Sequence, residues 1–182
     1  NKKHAEEVKR ISLLIFDEVN KKIKELSPLK RQLLESSALL HDIGYAIDSK
    51  SHHKHSQKLI LEKGLSEFTL RQTMMISCMC RYHKGGLPDK KDHEIYSSLD
   101  KKERKTVKRL GGILKIADGL ESKQIGQIKN ITLEYDEDNN ITEIYLHTKT
   151  NDYRPDIMPA VRKKDLFEIG FKTQVVYKYA EI

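Results

Sequence analysis

The chain has 182 residues, of which 37% are hydrophobic and 34% charged, with a formal net charge of +7 and a pI near 9.2. That length buries one good core with room for a small appendage. No apolar run approaches the roughly 20 residues that span a bilayer and no signal-peptide pattern is visible, so a membrane role is excluded and a cytoplasmic protein is expected. The basic excess suits a polyanionic partner, although solubility alone accounts for a charge of this size. The chain begins with Asn rather than Met, as a fragment of a longer protein or a processed chain would.

Residues 3–26 carry Val8, Ile11, Leu14, Ile15, Val19 and Ile23 at helical spacing, which predicts an amphipathic first helix ended by Ser27-Pro28. A second helix is expected from Leu29 to Tyr45, closing at Gly44. Ser51 is a candidate N-cap for a third, which ends at Gly64. A fourth opens at Ser66 or Glu67 and runs to His83, and its Cys78 and Cys80 read as reduced thiols, too close for an ordinary bridge. The Gly-Gly, Pro and charges of "KGGLPDKKDH" mark a loop. Asp100 is a good N-cap for a long helix from Lys101 to about Ser122. After Gln127 the period changes to alternation around Asp138-Asn139-Asn140, a β-hairpin signal. Pro155 or Pro159 then precedes a short helix through Leu166 and Phe167, and "TQVVYKY" reads as a last strand paired with the hairpin. The expected fold is mainly α: a helical bundle over 1–126, followed by a small α+β element over 127–182 packed on it.

The chemistry is expected in the bundle. His41-Asp42 stands in "ALLHDIGYAI", where a helix would place an imidazole beside a carboxylate just as it ends at Gly44. Buried together, such side chains cost free energy unless both are compensated, and a divalent cation compensates both. Asp118 in "ILKIADGLE" and His4 in "NKKHAEEV" complete the set, since antiparallel neighbouring helices could bring both to His41-Asp42.

The segments "HAEEVKRISLLIFDEV", "RQLLESSALLHDIGYAI", "HHKHSQKLIL", "ISCMCRYHKGGLP" and "LGGILKIADGLES" occur in that order, and the chain closes with "VRKKDLFEIGFKTQVVYK". Together they resemble the C-terminal domain of the exopolyphosphatase / guanosine pentaphosphate phosphatase family, within the HD superfamily of metal-dependent phosphohydrolases. The resemblance implies an HD-domain bundle with His4, His41, Asp42 and Asp118 as ligands of a divalent metal. Mixed nitrogen and oxygen donors suit Mn, Fe, Ni, Co, Zn or Mg, and spacing does not choose among them. One metal is implied, or two where His55 and His83 also ligate. On a helix His52 and His55 share a face, so the three histidines of "HHKHS" cannot all point into one site; the resemblance favours His53 and His55. Asp42, His53 and His83 are the expected catalytic residues.

Lys54, Arg81 and Lys84 lie in the motif segments and are the expected phosphate contacts, Arg as a fork and Lys as a point charge. The runs 101–109 and 162–164 read as solvated helix faces that could also track polyphosphate. His93 and His147 have no partners in the pattern and are expected at the surface. Aromatic residues are not interleaved with basic runs, which argues against single-stranded nucleic acid. The expected function is metal-dependent hydrolysis of a phosphoester or phosphoanhydride of a nucleotide or polyphosphate. The alternative is a non-catalytic polyphosphate- or nucleotide-binding or dimerisation domain. The resemblance further implies a homodimer, and N-terminal actin-like domains that this chain does not contain.

Overall fold

A computed structural model describes residues 1–123, 126–150 and 154–180. Six helices come first: α1 (Lys2–Lys22), α2 (Pro28–Leu40), α3 (His52–Lys63), α4 (Leu70–Tyr82), α5 (Glu94–Ser98) and α6 (Lys101–Leu120). α1 turns Val8, Ile11, Ile15 and Val19 inward. α6 buries a continuous stretch from Leu110 to Leu120, so it runs through the core rather than along its edge. Its start is secured by a capping box in which Asp100 accepts from the Lys102 and Glu103 amides and Glu103 reaches back to the Asp100 amide.

Several elements differ from the expectation, beginning with α1, which ends at Lys22 rather than at residue 26. α2 stops at Leu40, and residues Ile43–Ala46 form a separate 3₁₀ turn. The cause is the seating of α3: a Cβ on Gly44 would lie 2.0 Å from the His52 carbonyl oxygen, so the chain turns there with only a hydrogen as side chain. Ser56 ties the turn by accepting from the Gly44 amide at 2.9 Å and donating to the His41 carbonyl at 2.7 Å. α4 starts at Leu70, because Thr69 and Gln72 form a capping box that Ser66 and Glu67 do not. α5 falls at the end of the expected loop and is too short to show a period.

The hairpin is present as β1 (Ile128–Asp136) and β2 (Ile141–Thr148), with Leu133 opposite Ile144 and Ile131 opposite Leu146. Asn140 takes a positive φ of 53° at the turn, a conformation Asn tolerates. α7 (Met158–Arg162) and α8 (Asp165–Phe171) then carry the chain back, and β3 (Gln174–Tyr179) lies parallel to β2 in a sheet ordered β1-β2-β3. The hairpin is fastened to α1: Arg10 donates to the Ile128 carbonyl, and the Leu133 amide donates to Glu18 at 3.1 Å. Cys78 and Cys80 are buried free thiols of α4.

α7 and α8 seat on α6 through glycines. A Cβ on Gly112 would stand 2.5 Å from the Phe167 Cα, and one on Gly119 2.6 Å from the Ala160 Cα. These are backbone contacts that cannot yield by a rotamer change. Gly112→Ala is therefore expected to destabilise the protein by about 1–3 kcal/mol in urea unfolding. Gly111→Ala, whose Cβ has as its one tight contact the movable Leu166 Cδ2 at 3.2 Å and otherwise stands at ordinary contact distance from Met79, is expected to be near neutral, because the gain in helix propensity of about 1 kcal/mol offsets the squeeze. Equal midpoints for Gly112→Ala and the parent would contradict this packing.

Candidate metal centre

Five helix ends meet at one place. His4 comes from the first turn of α1, His41 follows the last residue of α2, His52 opens α3, His83 follows the last residue of α4, and Asp118 lies in the last turn of α6. Asp42 stands in the middle, just before the 3₁₀ turn. All four histidines and Asp118 are buried.

The ring orientations follow from the helix ends. The last carbonyls of a helix lack partners within it. His41 Nδ1 donates to the Ala38 carbonyl at 2.6 Å, and His83 Nδ1 donates to the Cys80 carbonyl at 2.6 Å. His52 Nδ1 donates to the Ser49 carbonyl at 2.8 Å. A carbonyl can only accept, so each Nδ1 carries the hydrogen and each neutral ring presents its Nε2 lone pair. All three Nε2 atoms point at carboxylates. Oδ2 of Asp42 lies 3.4 Å from His41 Nε2 and 3.8 Å from His4 Nε2, while its Oδ1 lies 3.2 Å from His52 Nε2 and 3.4 Å from His83 Nε2. Asp118 Oδ1 lies 3.2 Å from His4 Nε2 and 3.7 Å from His41 Nε2. Asp42 thus faces two groups, His4 with His41 on one side and His52 with His83 on the other, each compact enough for its ligand atoms to lie within 4.8 Å of one another.

A divalent cation fits this donor set. The Nε2 atoms of His52 and His83 are 3.1 Å apart, and His41 Nε2 is buried without a hydrogen-bond partner. Lone pairs aimed at each other and at carboxylates repel unless a proton or a metal lies between them. Locking of Nδ1 by a carbonyl is also the usual outer support of a metal-bound histidine. Where protons fill the role, the cluster is a network of ion pairs. Burial opposes charge on His41, yet Asp118 and Asp42 outweigh it and raise its pKa from 6.5 to about 9. Burial would also raise the Asp42 pKa, but the His41 and His83 rings hold it far below the carboxylate range. Asp118 is held low in the same way by His4 and His41. His83 moves the other way because its burial prevails over Asp42.

The domain III model of the Ppx/GppA phosphatases matches residues 1–159. The chain belongs to this family. It is 29% identical over 142 residues to the guanosine-5'-triphosphate,3'-diphosphate pyrophosphatase of Aeromonas hydrophila, covering 76% of this chain and 27% of that protein. It is 28% identical over 111 residues to the protein of the same name from Vibrio vulnificus, covering 61% of this chain and 22% of that protein. The chain therefore spans about a quarter of the length of the curated relatives it matches.

Within this Ppx/GppA domain III, the structure brings together His4, His41, Asp42, His83 and Asp118. It does not bring His55 to them: the histidine of "HHKHS" in the cluster is His52. The choice of face is made by the docking of α3 on the 3₁₀ turn at Gly44, which aims His52 at Asp42. His53 sits beside the cluster, 5.9 Å from the His52 ring between centroids, with its Nδ1 buried and unpartnered. Burial and the neighbouring His83, His52, Lys54 and Lys84 lower its pKa to about 4. Lys54 is exposed, Arg81 donates to Gln57 of α3 at 3.1 Å, and neither these two nor Lys84 has a hydrogen bond or ion pair to the cluster among the described residues. The cation that does touch it is Lys163, whose Nζ donates to Asp118 Oδ2. Tyr45 stacks on the His52 ring at 3.9 Å between centroids and leaves half its surface open. His93 accepts from the Asp89 amide and pairs with Tyr82 Oη, and His147 pairs with Thr132, both away from the centre.

The shifts give a stability profile for the metal-free protein. The raised His41 pKa stabilises the fold fully below about 6.5 and loses its effect as pH rises through about 9. The lowered His53 and His83 pKa values act in the opposite sense and destabilise the fold as pH falls below about 6.5. In chelator, the urea midpoint is expected to fall between pH 6.5 and 9, and Asp118→Asn is expected to flatten that fall. A midpoint that rises across the same window would show that His41 is not held as a cation by these carboxylates.

Proposed function

We propose that this domain is a metal-dependent phosphohydrolase centre acting on a phosphoester or phosphoanhydride of a nucleotide or polyphosphate. The observation that carries the proposal is the convergence of three carbonyl-locked Nε2 lone pairs on Asp42. His4, His41, Asp42 and Asp118 would hold one divalent cation, and Asp42 with His52 and His83 offers a second place. Bound there, a divalent cation would supply Lewis-acid polarisation of a phosphate oxygen and a water nucleophile near neutral pH. Asp42 orients both halves of the centre through its two oxygens. His53, outside the ligand groups and neutral at pH 7, is the proposed proton acceptor. The relatives' name, a guanosine-5'-triphosphate,3'-diphosphate pyrophosphatase, supports the phosphoanhydride class for this chain.

The activity is tested with purified protein, Mn²⁺ and a panel of nucleotide and polyphosphate substrates. Asp42→Ala is expected to keep the fold by circular dichroism and to lose turnover by more than about a hundredfold, since even supports outside the ligand shell are worth 10–100-fold. Full turnover in that variant would reject the proposal.

A second reading, a polyanion-binding module, is favoured by one separate feature. Lys30, Lys105 and Arg109 line a cleft between α2 and α6 together with Glu103, which is paired with Arg71, and among the described residues none of the three cations has a carboxylate partner. Burial and the adjacent Arg109 and Lys24 lower the Lys30 pKa, and Arg109 lowers that of Lys105, as expected of unneutralised like charges. On this reading polyphosphate binding is steeply salt-dependent, survives Asp42→Ala, and falls in Lys30→Gln/Lys105→Gln. Equal binding by the double variant would dismiss it.

A further inference from the structure

Lys163 follows α7 in sequence, 45 residues beyond Asp118, yet its ammonium lies on the Asp118 carboxylate. The two carboxylate oxygens are divided: Oδ1 faces His4 and His41, and Oδ2 accepts from Lys163. The lysine is the more exposed member of the contact, at 23% against 12% for the aspartate side chain, while the His41 side chain is fully buried. It therefore stands at the solvent edge of the centre, on the side of Asp118 away from the imidazoles.

Its placement is enforced by a second, reversed ion pair. One turn before Asp118 on α6, the buried Lys115 donates to Asp165 at 2.8 and 3.1 Å and to the Gly85 carbonyl at 3.3 Å. Lys163 of the α7–α8 turn and Asp165 at the start of α8 thus clasp residues 118 and 115 of α6, with the charges reversed between the two pairs. The glycine contacts at Gly112 and Gly119 hold the same helices at backbone distance. Lys115 is committed to this clasp, whereas Lys163 holds a carboxylate at the more exposed edge of the centre. Among the described residues it is the one ammonium or guanidinium in hydrogen-bond contact with the six residues of the centre.

We propose that Lys163 is a substrate-binding residue, the α7–α8 turn presenting its ammonium to the phosphate group that the metal-loaded centre holds. The inference rests on the phosphohydrolase reading above and adds to it a residue from outside the helical bundle. An ammonium on a flexible stem can keep its contact with Asp118 and donate its other hydrogens to an oxyanion. Charge-assisted hydrogen bonds of this kind are strong enough to change an affinity tenfold or more.

The test uses the full chain loaded with Mn²⁺ and titrated with inorganic phosphate in a calorimeter. Lys163→Met is expected to bind Mn²⁺ at least as well as the parent, because no ligand is lost, and to bind phosphate about tenfold or more weakly. Lys163→Arg is expected to recover most of the phosphate affinity, which a purely structural role would not require. Phosphate binding by Lys163→Met within twofold of the parent would overturn the inference while leaving the metal centre standing. A parent that binds no Mn²⁺ would overturn the phosphohydrolase reading and this inference with it. Independently of any variant, phosphate should protect Lys163 of the Mn²⁺-loaded parent from reductive methylation, and unchanged labelling would count as the same refutation.

Discussion

Two carboxylates share a buried space with four imidazoles, and the ends of five helices are arranged around that fact. An uncompensated carboxylate there would cost several kcal/mol, so four of the five helices bring an imidazole that answers Asp42 or Asp118, the latter carried by α6. The helix ends bring them cheaply. Ala38 and Cys80 carry carbonyls without helical partners, and the histidine that follows each helix satisfies one of them with Nδ1 while turning Nε2 inward. The same hydrogen bond therefore finishes the helix and sets the tautomer of the imidazole. The apolar core beneath, from Val8 and Ile15 of α1 to Ile113 and Ile116 of α6, holds the helix ends in register.

Much of this was legible in the residues. His41-Asp42 before a glycine, Asp118 on a long capped helix, and His4 on the first helix all read as parts of one site, and the structure brings them together. The break came at "HHKHS". Helical spacing puts His52 and His55 on one face, yet only His52 joins the cluster: it opens α3 against the chain around Gly44, a long-range packing fact, while His55 lies a turn further along the helix. The five residues of α5 could not be read because one turn and a half has no measurable period. The last strand was legible by its alternation, but its parallel pairing with β2 depends on the crossover through α7 and α8.

Lys163 was hidden for a related reason. In the sequence it belongs to a short basic run that reads as a solvated face, and nothing local ties it to Asp118. The tie comes from glycines of α6 that admit α7 and α8 at backbone distance, and from the Lys115–Asp165 pair one turn away. Conversely, Arg81 and Lys84 sit close to His83 in sequence, yet among the described residues neither makes a hydrogen bond or ion pair with the six residues of the centre, and Arg81 is engaged with Gln57. Charge found near a motif is a weaker guide to a phosphate site than charge delivered to it by a rigid neighbour.

The account stands on a cation being the partner of those converging lone pairs. The most direct measurement is anomalous diffraction at the manganese edge from crystals grown with Mn²⁺. An anomalous peak is expected between Asp42 and Asp118 within bonding distance of His41 Nε2, and none in Asp42→Ala crystals. Ordered protein with no anomalous peak among His4, His41, Asp42 and Asp118 would contradict it and leave the cluster a proton-filled ion-pair network.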